Sequence, residues 1–139
     1  MDKSKIAQQF IEALPHAKAL GMKFLSLEDG SAGLAMDYDE RFIGDPETKV
    51  ISGGAVSALM DTCCGAAVIS HPEAPAGTAT IDLRIDYMRA AVPGQRVSSF
   101  AEVYHITRSV AFVRAKAFDE DLENPVATAT GTFSVERKL

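Results

Sequence analysis

Residues 51–69, ISGGAVSALMDTCCGAAVI, are small or apolar around the whole circumference of a helical wheel. A helix of that composition is enclosed by other elements instead of lying on a surface, so the rest of the chain has to wrap it. The run carries its own start signal. Ser52 is a good N-cap whose hydroxyl can accept from a first-turn N–H, and Gly53 and Gly54 leave the other first-turn amides unscreened and open to a ligand. These signals predict a central helix over residues 53–70, closed by His71-Pro72, with His71 suited to the negative end.

Two turns into this helix stands Asp61, the only carboxyl in the run. A lone carboxylate on an apolar helix costs several kcal/mol unless it is paired, wet or catalytic. One reading has it satisfied by Ser57, Thr62 or a neighbouring strand as part of the core. The other makes it a functional group, since perturbed carboxylates mark sites. The same helix offers, at its N-terminus, glycine amides and the positive end of a macrodipole, where a developing oxyanion is stabilised. A carboxylate and an oxyanion hole together point to acyl transfer to water.

The chain has 139 residues, 47% of them apolar, enough for one domain over 1–139 with a core that needs neither metal nor disulfide. No apolar run of about 18 residues lacks breakers or charge, and MDKSKIAQQF contains no signal-peptide core, so a soluble cytoplasmic protein is expected, without membrane partners. Cys63 and Cys64 are adjacent on the helix, where a bridge would be strained, and read as small core residues. A net charge of −5 argues against a nucleic-acid binder, and three scattered histidines give no metal site. Between Asp82 and Lys116, however, six basic residues face three acids. That local excess could hold a small polyanion, with Arg89 and Arg108, at the ends of strands, as the residues that would line it.

In chain order, Ile6, Phe10, Ile11 and Leu14 fall at helical spacing until Pro15, predicting an N-terminal helix over 1–15, followed by a linker containing His16. Two strand-like runs, 22–28 and 31–38, flank Asp29-Gly30, a tight-turn dipeptide. A loop over 39–50 leads into the central helix. Afterwards Ala79, Ile81, Leu83, Ile85 and Tyr87 alternate with Thr80, Asp82, Arg84 and Asp86, and three further strands follow over 96–107, 109–118 and 126–135. Ala111, Ala115, Ala117, Ala127, Ala129 and Gly131 are the inward candidates, small enough to let a sheet curl closely around one helix.

A long buried helix wrapped by five to six antiparallel strands resembles the hotdog fold, an α+β architecture. SGGAVSALMDTCCG is similar to the HGG-x(6)-D signature of hotdog acyl-CoA thioesterases of the phenylacetate-pathway (PaaI) type, and TIDLRIDYMRAAVPGQ to that family's next strand and turn. The resemblance implies an acyl-CoA thioesterase that needs no cofactor, CoA being part of its substrate. It implies that Gly53 supplies the oxyanion-hole amide, that Asp61 is the base or nucleophile, and that Thr80 helps place the attacking water. Ser52 stands where the family has His and Pro46 where it has Asn, with Asp45 adjacent as a substitute; Ser52, Gly54 and Asp45 join the substrate-binding set. A non-catalytic acyl-CoA-binding protein and a hotdog dehydratase or hydratase are the alternatives, the latter opposed by the lack of any His between His16 and His71.

Gly53 and Asp61 are eight residues apart, about 12 Å along a helix axis, too far to serve one carbonyl. Two antiparallel copies about a twofold axis would bring the Gly53 end of each beside the Asp61 turn of the other. A homodimer with shared sites is therefore expected, and the family resemblance implies that such dimers pair further into tetramers.

Overall fold

The computed structural model describes residues 3–73 and 76–137. Residues 1 and 2 of the expected N-terminal helix lie outside that range. Helix α1 spans Lys3–Ala13, and in place of a linker the chain forms a second short helix, α2, Pro15–Ala19, which contains His16. The physical reason is that proline's fixed φ and missing N–H suit a first helical position as well as they bar an interior one. Ala17, 2% exposed, fixes α2 to the core.

Strands β1, Lys23–Glu28, and β2, Ser31–Met36, form the expected hairpin, with Gly30 at φ 81° in the left-handed region that glycine enters freely. A 3-10 turn at Glu40–Phe42 interrupts the loop before α3, Gly53–Ile69. Strands β3, Thr80–Tyr87, β4, Val97–Ile106, β5, Val110–Phe118, and β6, Ala127–Ser134, complete one antiparallel sheet in the order β1-β2-β4-β5-β6-β3. This is the six-stranded hotdog arrangement, with α3 laid along the inner face.

Packing follows from residue size. Leu59, Met60, Cys63, Cys64, Ala67 and Val68 of α3 are fully buried against Leu34, Ala111, Val113, Ala117 and Ala127 of the sheet. Each large side chain so buried contributes about 1.5–3 kcal/mol, and the alanines let the sheet approach closely. At Gly131 the approach is closer still: a Cβ there would lie 2.6 Å from the Asp82 carbonyl oxygen on β3. Composition over-predicted the enclosure of α3, however. Ala58, Asp61, Thr62, Gly65 and Ile69 form a half-buried face that the sheet leaves uncovered. His71 also differs from expectation: Ser70 is the C-cap, and the His71 ring accepts at Nδ1 from the Glu73 N–H instead of meeting the helix carbonyls.

Candidate active site

Asp61 and Thr80 meet across the gap between α3 and β3, the Thr80 hydroxyl donating to Asp61 Oδ1 at 2.7 Å. Regular alternation would not bring them together, because it groups Thr80 with Asp82, Arg84 and Asp86 on the outer face. The pairing with β6 slips at this point. Thr80 lies opposite Phe133 while Asp82 lies opposite Thr132, so Ile81 is an extra, bulged residue. It is 60% exposed, against the inward position that alternation assigned to it, and Thr80 is turned to the side of buried Phe133 and of α3. Bulges commonly re-aim a side chain beside an active site.

At the other end of α3, Ser52 caps the helix as expected, its hydroxyl accepting from the Gly54 N–H at 3.1 Å. This corrects one expectation, since the Gly54 amide is occupied by the cap instead of open to a ligand. Ala55 and Val56 donate to the Ser52 carbonyl, and among the described residues nothing accepts from the Gly53 N–H. Gly53 is exposed, and the Tyr87 hydroxyl donates to its carbonyl at 2.8 Å, fastening the first turn of α3 to the far end of β3. Tyr87 was missed in the sequence. Its place at the end of an alternating strand gives no sign of contact with a segment 34 residues earlier.

The remaining predicted residues are less concentrated. Asp45 turns its carboxylate onto its own loop, accepting from the Glu47 N–H and the Thr48 hydroxyl, and these bonds hold it below the usual carboxylate range. Arg89 donates from both terminal nitrogens to Asp119, at 2.6 and 2.7 Å, and also to the Asn124 carbonyl. The Asp119 side chain is fully buried, and the guanidinium holds its carboxyl far below the usual range despite that burial. Arg89 is thus committed to a structural pair. Arg108 is exposed on the β4–β5 turn, near the Thr80 end of the sheet, whereas Arg89 lies past Tyr87 at the opposite end. One chain does not bring the two together.

Beside Asp61 and Thr80 opens a cavity of about 400 Å³, roofed by α1 and α2 and lined by Phe10, Leu14, Gly65, Ile69 and Phe133. His16 also stands in this wall, where the sequence had suggested only a linker. Burial pushes the Cys63 thiol up to about 11 and Cys64 further, so neither is a nucleophile. Among the described residues no three His, Cys, Asp or Glu side chains are grouped to hold a metal ion, and no helix is long and apolar enough to cross a membrane.

Residues 48–126 match the family described as the thioesterase superfamily. The medium/long-chain acyl-CoA thioesterase YigI of Salmonella typhimurium is 25% identical over 94% of this chain and 91% of its own. Among solved structures, a protein from Pseudomonas aeruginosa is 38% identical with a TM-score of 0.82, covering 92% of this chain and 95% of that one. The PaaI protein of the Escherichia coli phenylacetic acid degradation operon superposes with a TM-score of 0.83 at 22% identity, covering 93% and 89%, a likeness of fold.

Proposed function

This chain belongs to the thioesterase superfamily, and from that premise we propose that it hydrolyses acyl-CoA thioesters, with Asp61 and Thr80 holding the attacking water and the Gly53 amide receiving the oxyanion. The observation that carries the reading is the Thr80–Asp61 hydrogen bond at the mouth of a cavity, on the same helix as an unengaged N-terminal amide. Thr80 fixes one carboxylate oxygen of Asp61. The other is left to take a proton from water as that water attacks the thioester carbonyl, a general-base role. Direct attack by the carboxylate, giving a mixed anhydride, is the other route open to the same group. In either route the charge that develops on the carbonyl oxygen is met by the amide and the positive end of α3, and CoA leaves as its thiolate. Acyl-CoA as substrate is supported by the YigI relative.

About 12 Å of helix separates the Gly53 amide from Asp61, so one carbonyl cannot reach both on a single chain. A homodimer supplies the missing half. Support comes from β3, which is an edge strand pairing only with β6, and from Ile81, Tyr87 and Met88, which are 60%, 52% and 58% exposed along it. Those exposed apolar side chains and the unpaired backbone of an edge strand offer a surface on which a second copy can pair. For the CoA phosphates, Arg108 is the remaining candidate, since the Arg89 guanidinium is already engaged.

The test is release of free CoA from a panel of acyl-CoAs by the wild type and by Asp61→Asn. The substitution keeps the shape and removes the basicity, so kcat should fall by about 10²–10⁴. Turnover near the wild-type value would overturn the assignment.

A further inference from the structure

Gly65 stands one turn beyond Asp61 in the interior of the 17-residue helix α3, a position where glycine weakens a helix relative to alanine. Some glycines here are required by crowding, as Gly131 is by the Asp82 carbonyl. Gly65 is not: a Cβ built on it meets no heavy atom within 4 Å. Nothing in the chain excludes a side chain there. What a side chain would enter is the cavity beside the catalytic pair, because Asp61, Gly65 and Ile69 share one face of α3 at a spacing of four residues and all three line it.

Resting on the acyl-CoA thioesterase reading, we propose that this cavity is the acyl subsite, that it takes an unbranched apolar acyl group of medium length, and that the missing side chain of Gly65 sets the length admitted. The polar groups Asp61 and Thr80 stand at one end, where the thioester carbonyl must lie. From Asp61 to Ile69 the floor runs about 12 Å along α3, and Phe10, Leu14 and Phe133 supply an apolar wall, which His16, Thr62 and Thr78 share. A volume of about 400 Å³ suits a small apolar ligand, such sites spanning roughly 300–1,000 Å³. A side chain at position 65 would cross the path of any acyl group longer than a few carbons. An acetyl group would stop short of it.

The experiment compares wild type, Gly65→Ala and Gly65→Leu in two readouts. Calorimetry measures binding of S-octyl-CoA and S-ethyl-CoA, thioethers that cannot be hydrolysed, and CoA release measures turnover of octanoyl- and acetyl-CoA. S-octyl-CoA affinity should fall about tenfold in Gly65→Ala and about a hundredfold in Gly65→Leu, the scale set by added methylenes in an apolar pocket. S-ethyl-CoA affinity should fall much less than S-octyl-CoA affinity in both variants, and the ratio of octanoyl-CoA to acetyl-CoA turnover should fall with it. Gly65→Ala should also melt a few degrees higher, since it improves the helix, and it decides the matter if the leucine variant does not fold. The proposal is overturned if wild type does not bind S-octyl-CoA, or if all variants bind it equally. It is also overturned if both ligands weaken alike and the assembly comes apart in size-exclusion chromatography, the result expected if Gly65 served helix–helix contact. Failure of wild type to hydrolyse any acyl-CoA, with S-octyl-CoA binding still dependent on residue 65, would remove the hydrolase reading and leave the subsite standing.

Discussion

Arg89 illustrates what a single residue conceals in a sequence. Counting charges between Asp82 and Lys116 made it a candidate for lining a polyanion site, but its partner Asp119 lies 30 residues away and the count contains no sign of the pairing. The fully buried Asp119 carboxylate also accepts from the Val92 and Asp121 amides, so the arginine neutralises a charge the fold cannot otherwise bury. Arg89→Ala should therefore destabilise the protein by about 3 kcal/mol, read as a fall in melting temperature, with KM for acyl-CoA little changed in what remains folded. An unaltered melting temperature with a raised KM would return Arg89 to the binding site. The pair also fixes a direction of pH dependence. Asp119 has its folded pKa depressed below its unfolded value near 3.9, so its contribution is present above that value and is lost as pH falls toward the folded one. Stability should decline progressively below about pH 5 in the wild type, and with a shallower slope in Arg89→Ala. Asp61, by contrast, was legible because it broke a pattern: one carboxyl in an otherwise apolar run is anomalous whatever surrounds it.

Among the elements, α3 and the six strands could be read from periodicity and turn residues, because hairpin signals and the N-cap at Ser52 are local. The bulge at Ile81 could not. Its cause is the register of β3 against β6, some 50 residues onward, and the alternating sequence gives the opposite facing for Thr80. Only the family resemblance pointed to Thr80, and the bulge supplies the physical account of it. Gly131 sits at the same crossing, and its missing Cβ sets how closely β3 can lie on β6. Gly131→Ala would force that methyl against the Asp82 carbonyl and the Leu83 side chain, at a cost of about 1–3 kcal/mol. Because Thr80 rides on β3, kcat should drop together with the melting temperature. Loss of stability with full kcat would mean that the position of β3 does not govern the water.

For the whole molecule, the decisive property is that α3 carries the two groups of the proposed site, the Gly53 amide and Asp61, about 12 Å apart and leaves one of its faces uncovered by the sheet. The sequence spacing raised the expectation of a second copy, whereas the cavity under α1 and α2 was hidden by reading Pro15 as the end of helical structure and His16 as part of a linker. If sites are shared across a twofold axis, two inactive variants should rescue one another. Asp61→Asn loses the base, and Gly53→Pro loses the amide at a helical position that tolerates proline. Mixed dimers contain one site with both defects and one with neither, so activity should reappear on mixing. Its absence despite verified subunit exchange would assign each site to one chain. The edge position of β3 also bears on the order in which the molecule is made. Thr80 is set in place by pairing with Phe133, and β3 has no other strand to lean on within the chain. While the ribosome is still translating the second half, α3 and its carboxylate are already out of the exit tunnel, but the hydroxyl that completes the pair has nothing to dock on until β6 emerges. The Thr80–Asp61 pair thus stays unformed until Phe133 has left the tunnel and β6 has paired with β3.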